Sequence, residues 1–246
     1  MKRILISLIL ISNAVIYLYA DNTDISFRFE TANKYYQNGD YEDAIGEYET
    51  LLLDGFINPY VYYNLSVAYY RNNEIGRAVL NLERALKLMP RNKNSQKNKE
   101  LLSELVQEPP KNIAEKFLYE IVKPFSLNEI ISITLISFII LLLIISLYLF
   151  KLKNKLIPFL VLVIILNIFS FSLLYLKFYD EVVLNKYIAI RPLPVRNKPS
   201  KDDDISFEIN EGRQIIVLSE IGRWVNVKLS ADGLTGWVDK NFIEKI

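Results

Sequence analysis

The chain has 246 residues, 29 Lys and Arg against 28 Asp and Glu for a formal net charge of +1, and is 51% hydrophobic. So even a charge balance gives no electrostatic pull toward nucleic acid, which is excluded as a partner. With no Cys and no His, the chain also has no thiolate nucleophile, disulfide, Cys/His zinc site or imidazole acid or base.

At the N-terminus, Lys2 and Arg3 precede an apolar run from Ile4 to Leu18 that ends at Ala20, before the acidic Asp21 and Asp24. This is the layout of a signal peptide over 1–20 with cleavage after Ala20; Leu18, where a small residue is preferred, leaves an uncleaved N-terminal anchor as the alternative. Either form exports the segment that follows.

Shifting residues 32 to 52 by 34 superposes Tyr35 on Tyr69, Tyr36 on Tyr70, Asn38 on Asn72, Ala44 on Ala78, Glu49 on Glu83 and Leu52 on Leu86. A period of 34 with small residues at fixed positions marks helix-turn-helix repeats, in which Ala44 and Ala78 allow two helices to approach closely. The pattern resembles the tetratricopeptide repeat family. Tyr62-Tyr63-Asn64-Leu65, Ala68-Tyr69, Ala78, Ala85 and Pro90 carry that resemblance in the second unit, and Ala32, Tyr35, Gly39-Asp40-Tyr41, Ala44-Ile45 and Tyr48 carry it in the first. Asp54-Gly55-Phe56 replaces the usual proline region, and Asn73 stands where glycine is common, a turn position that tolerates Asn.

Two repeats leave an open apolar face. Ser95 to Val106 is the candidate capping helix, with Leu101, Leu102 and Leu105 expected on the second repeat and Lys97, Lys99, Glu100 and Glu104 expected in water. The repeat module so defined spans 24–108. The resemblance implies a concave groove at Phe29, Asn33, Tyr36, Gln37, Tyr60, Tyr63, Val67, Tyr70 and Arg71. It also implies packing positions at Tyr35, Ala44, Tyr48, Leu65, Tyr69, Ala78 and Ala85. An aromatic, nearly neutral groove suits apolar or proline-containing segments better than a terminal carboxylate.

Ile113, Ala114, Phe117, Leu118, Ile121 and Val122 recur at helical spacing beside Lys111, Lys116 and Lys123. Residues 111–124 therefore form either an amphipathic helix on the membrane surface or a further core helix of the repeats. Ile130 to Phe150 and Leu156 to Leu176 carry no charged residue. Each is about 21 residues, enough to cross a hydrocarbon core of ~30 Å. Transmembrane helices are placed at 127–150 and 156–176. Between them lies only the loop 151–155, whose Lys151, Lys153 and Lys155 belong on the cytoplasmic side. That hairpin leaves residues 21 to about 125 and 177 to 246 together on the outer face. Ile130 to Phe150 and Leu156 to Leu176 hold no acidic or basic group, so transport and proton relay are not expected; Asn167 is expected to pack against the hairpin partner or another subunit.

Residues 185–246 read as short strands separated by Glu211-Gly212, Ile221-Gly222 and Asp232-Gly233, an all-β barrel. Leu193-Pro194-Val195-Arg196, Trp224-Val225-Asn226-Val227 and the closing Gly236-Trp237-Val238 resemble bacterial SH3-like domains, which occur in envelope proteins and are often adhesion or cell-wall-binding modules. Trp224 and Trp237 are read as core rather than as a ligand platform. Asp202-Asp203-Asp204 lacks the spaced oxygen ligands of a calcium loop and reads as solvated.

The fold class is therefore a multidomain membrane protein: all-α tetratricopeptide repeats, two transmembrane helices and a C-terminal all-β SH3-like barrel. This order resembles the BatE-type family of the Bacteroides aerotolerance operon. The resemblance implies membrane partners with von Willebrand factor A domains, a MoxR-type ATPase system, and assembly supporting aerotolerance and envelope stress. The expected role is a scaffold in the bacterial inner (cytoplasmic) membrane, its terminal domains facing the periplasm or outside. The alternative is a peptidoglycan-binding sensor or adaptor using the barrel. Asp21, Asp24, Glu30, Asp40, Glu42 and Asp43 are spread over helical faces and turns, so an enzyme is not expected, nor any catalytic, cofactor or metal residue.

Overall fold

A computed structural model describes residues 24–106, 120–149, 157–229 and 233–246. The signal segment 1–20, most of the helix expected at 111–124 and the lysine loop 151–155 lie outside the described residues.

The N-terminal region is helical: α1 covers 24–38, α2 Tyr41–Leu53, α3 Pro59–Arg71, α4 Ile75–Leu88 and α5 Lys93–Val106. The 34-residue period reappears as geometry. Gly39 has φ 91° and Asn73, 34 positions on, has φ 62°, so both turns pass through the left-handed region at the same place. The hydrogen bonds repeat too. The amides of Gly39 and Asp40 donate to the carbonyls of Tyr36 and Tyr35, and those of Asn73 and Glu74 to Tyr70 and Tyr69, a helix-ending pattern that satisfies carbonyls otherwise left open. Asn58 caps α3 by accepting from the Tyr60 amide at 2.8 Å, with Pro59 in the first turn; Asn92, again 34 further, accepts from the Ser95 amide at 2.8 Å at the start of α5.

Ala32, Ala44, Ala68 and Ala78 are fully buried at the helix crossings, where only a small side chain lets two backbones approach. Ser66 takes the place of Ala32 in the second unit, and its buried hydroxyl donates to the Ala78 carbonyl at 2.7 Å.

The capping helix differs from expectation. α5 buries Ser95, Leu102 and Val106, whereas Leu101 and Leu105 are more than half exposed and Lys99 pairs with Glu83 of α4 rather than facing water. The reason is repeat register: Ser95 and Leu102 lie 34 residues after the buried Val61 and Ala68, so α5 is the first helix of a third unit whose phase follows the array.

The helices α6, Leu127–Leu149, and α7, Ile157–Phe178, form an antiparallel pair. Both are long and apolar enough to cross a membrane. A capping box starts α6: the Ser126 amide donates to Glu129 and the Glu129 amide to the Ser126 hydroxyl. Arg91, from the turn before α5, also reaches Glu129. Midway along the pair, Asn167 donates to the Ser137 carbonyl at 3.2 Å and to the Val163 carbonyl at 3.0 Å, beside contacts of the Ser137 hydroxyl with Asn167 and Ser170. Thr134, Ser137, Asn167 and Ser170 thus meet between the two helices.

The C-terminal region is a curled antiparallel sheet consistent with an SH3-like barrel. Its strands are β1 Lys186–Ala189, β2 Leu193–Arg196, β3 Ile205–Ile209, β4 Gln214–Ile221, β5 Trp224–Leu229, β6 Thr235–Asp239 and β7 Ile243–Lys245, in the order β3-β2-β6-β5-β4-β1-β7. Register shifts at Val195/Arg196 and Val217/Ser219 bend it. Leu193, Val195, Ile215, Val225, Val227 and Val238 fill the interior.

The barrel packs directly on the repeats. Ile188 of β1 is 1% exposed and lies within the repeat core, with Ile190 and Ile246 against it. Gly76 of α4 meets the backbone of Ala189 and Ile190, and Gly212 meets Val79 and Val106. Arg84 of α4 donates to the Lys245 carbonyl at 2.6 Å. The barrel thus covers part of α4 and the end of α5.

Candidate protein-interaction surfaces

The first helices of the successive units, α1, α3 and α5, present one continuous face. Of the residues expected there, Tyr60 and Tyr70 are 54% and 42% exposed, and Gln37 and Arg71 are also exposed. Phe29, Tyr36 and Tyr63 are half-buried against the repeat core, and Asn33 and Val67 are half-buried. Hydrogen bonds tie this face across units. Asn33 Oδ1 accepts from Tyr48 at 2.6 Å and from Asn64 Nδ2 at 2.9 Å, and Asn98 of α5 donates to the Tyr63 hydroxyl at 3.3 Å. Arg71 hydrogen-bonds Tyr36, which holds the guanidinium above its ordinary pKa, and the Tyr36 and Tyr41 rings lie 5.5 Å apart. The exposed rings therefore stand on a floor that is already hydrogen-bonded.

Sequence reasoning missed Asn98. It lies 34 residues after Asn64, so carrying the repeat shift one unit further would have found it.

The residues read as packing positions are buried or half-buried. Ala44, Tyr48, Leu65, Tyr69, Ala78 and Ala85 are all at most 1% exposed, and Tyr35 is half-buried against the same core. Burial pushes the Tyr48 hydroxyl up to about 12. Burial, and then its hydrogen bond to the Glu49 carboxylate, holds Tyr69 far above the usual phenol range.

On the barrel the tryptophans depart from the core reading. Val225, Val227 and Val238 point inward, so strand alternation puts Trp224, Asn226 and Trp237 on the opposite face, half-buried. Asn226 pairs across the sheet with Trp237, and Trp237 with Arg196. Asp202 and Asp204 are exposed, while Asp203 accepts from the Lys198 amide at 2.9 Å.

Residues 192–244 match the family model for a bacterial SH3 domain, and residues 59–92 match that for a tetratricopeptide repeat. The repeat match covers α3 and α4, and the first unit lies outside it. No curated protein matches the chain. Both matched modules are typically binding modules rather than catalytic ones, and together they support an interaction scaffold or adaptor.

Proposed function

We propose that this chain is a non-enzymatic, membrane-anchored scaffold of the bacterial cell envelope that holds a partner protein on the α1-α3-α5 face. The observation that carries this reading is the pair of exposed rings, Tyr60 and Tyr70, on a hydrogen-bonded base spanning three helices. Rigid aromatic side chains of this kind make strong anchors at low entropic cost. In this reading residues 1–20 are the export signal, 127–150 and 156–176 cross the inner membrane, 151–155 is cytoplasmic, and the repeats and barrel face the periplasm. The BatE-type resemblance supplies the partners: membrane proteins with von Willebrand factor A domains, linked to a MoxR-type ATPase and to aerotolerance. Cross-linked pull-down from native membranes, read by mass spectrometry, tests this. The reading fails if no membrane protein is captured in a Tyr70-dependent way.

A second reading, peptidoglycan binding by the barrel, is favoured by Trp224 and Trp237, half-buried on the face of the sheet opposite its core. Sedimentation of the full chain with purified peptidoglycan separates the two.

A further inference from the structure

Basic residues gather at one corner of the repeats. From Arg84 to Lys99 the sequence carries Arg84, Lys87, Arg91, Lys93, Lys97 and Lys99 and no acidic residue, although the chain as a whole balances 29 basic against 28 acidic residues. The stretch covers the end of α4, the connecting turn and the first half of α5. Repeat packing does not ask for these charges. One unit earlier, 34 positions back, Leu53, Ile57, Pro59 and Tyr63 stand where Lys87, Arg91, Lys93 and Lys97 stand here, and Asn58 and Asn92 cap the following helices alike in the two places.

Three of the cations are left uncompensated. Arg84 is held by the Lys245 carbonyl and Glu244, Lys99 pairs with Glu83, and Arg91 pairs with Glu129. Lys87, Lys93 and Lys97 are exposed and form no ion pair among the described residues. Leu88, beside Lys87, is 45% exposed, so the corner also offers an apolar side chain.

The Arg91 pair fixes where this corner lies. Glu129 belongs to the first turn of α6, the helix read above as entering the membrane. Lys87, Lys93 and Lys97 are within six positions of Arg91 in sequence, so they stand near the level at which α6 meets the lipid. The field of an anionic surface reaches ~8 to 10 Å at physiological salt, and basic residues mixed with an apolar one are what a lipid interface retains.

We infer that the α4–α5 corner is a docking surface for the headgroups of anionic phospholipids in the membrane that α6 crosses. Each lysine near such a surface favours it by a factor of about five, or about 1 kcal/mol. The contact steadies the repeats against the bilayer from a second point, beside the chain's own entry into it. This inference rests on the reading of α6 as a membrane helix, and not on which side of the membrane the repeats occupy.

The chain has no cysteine, so Asn94→Cys, at an exposed position between Lys93 and Lys97, gives a single thiol for a fluorescent donor. The full chain is reconstituted in phosphatidylcholine vesicles with a trace of acceptor-labelled phosphatidylglycerol or, in parallel, of acceptor-labelled phosphatidylcholine. At low salt, energy transfer should report phosphatidylglycerol enriched around the donor by about fivefold or more. In ~1 M salt, where screening shortens the reach to ~3 Å, the preference should vanish. Lys87→Gln, Lys93→Gln and Lys97→Gln together should bring the two lipids to equal transfer without changing the melting temperature. Equal transfer from both lipids on the lysine-intact chain, or a preference that survives both high salt and the three substitutions, overturns the inference. A separate donor at Leu135→Cys, 57% exposed on α6, reads quenching by brominated acyl chains. No quenching there overturns the membrane reading and the inference with it, whereas quenching there with equal headgroup transfer overturns the lipid docking alone.

Discussion

A Cβ on Gly76 would stand 2.6 Å from the carbonyl oxygen of Ala189 and 2.7 Å from the Ile190 Cα, so α4 and β1 touch backbone to backbone. Nothing larger than hydrogen fits between a repeat and a barrel that are separated in sequence by both long apolar helices. Gly76→Val is expected to push the barrel off α4 and destabilise the docked arrangement by about 1 to 3 kcal/mol, the usual range for overpacking. Thermal unfolding should split from one transition into two, with early protease cleavage between α7 and β1. A single transition at the original temperature would show that the contact is not needed.

Ala78 is 0% exposed beneath the Ser66 hydroxyl. Ala78→Leu should cost about 1 to 3 kcal/mol through overpacking at the α3/α4 crossing. Denaturant titration of the full chain checks this, and Ala44→Leu should behave alike in the first repeat.

Exposed and buried tyrosines should part company. Tyr60→Ala with Tyr70→Ala should leave the melting temperature nearly unchanged while weakening partner capture by roughly thirtyfold, as loss of a 2 kcal/mol anchor would. Tyr69→Ala should instead lower stability by about 3 to 5 kcal/mol. Circular dichroism and pull-down on the same preparations separate the two effects.

The buried phenols give a pH dependence. Below about pH 10 tyrosines are protonated in folded and unfolded chains alike. Above it the unfolded chain releases protons that the folded chain retains at Tyr48, held to about 12, and at Tyr69. Stability should therefore fall as pH rises from about 10 through about 12. Tyr48→Phe should flatten the slope, which denaturation at several alkaline pH values would measure.

Asn167 bridges α6 and α7 through the Ser137 carbonyl. Asn167→Leu should loosen the pair by about 0.6 to 2 kcal/mol, as for other interhelical hydrogen bonds in bilayers. The distance between spin labels on the two helices would broaden.

Local pattern made most of the fold legible. Ala44 and Ala78 sat at matching positions of a 34-residue shift, and the two apolar blocks were continuous. The third unit was harder to see, because Leu101, Leu102 and Leu105 suggest a helical stripe of their own while the burial follows Ser95 and Leu102, which only the repeat register reveals. Trp224 and Trp237 were misplaced because residue type was weighed above phase; Asn226, in step with Trp224 and out of step with Val225 and Val227, held the information. The meeting of Glu49, Asn81 and Glu244 was invisible, since they come together only through the docking of distant segments. Gly76 and Gly212 look like ordinary helix and turn glycines until their neighbours are known.

That docking also sets a timetable for synthesis. Val79 and Val106, against which Gly212 packs, leave the ribosome long before it does, with Val79 roughly 130 residues ahead. At ~5 to 20 residues per second this is a delay of about 7 to 27 seconds. During that interval the repeat array has left the ribosome with its last apolar flank uncovered, while the two long apolar helices are still being delivered. A chaperone has a natural client in this half-finished array, and truncation before β1 should yield a product that aggregates rather than one that accumulates.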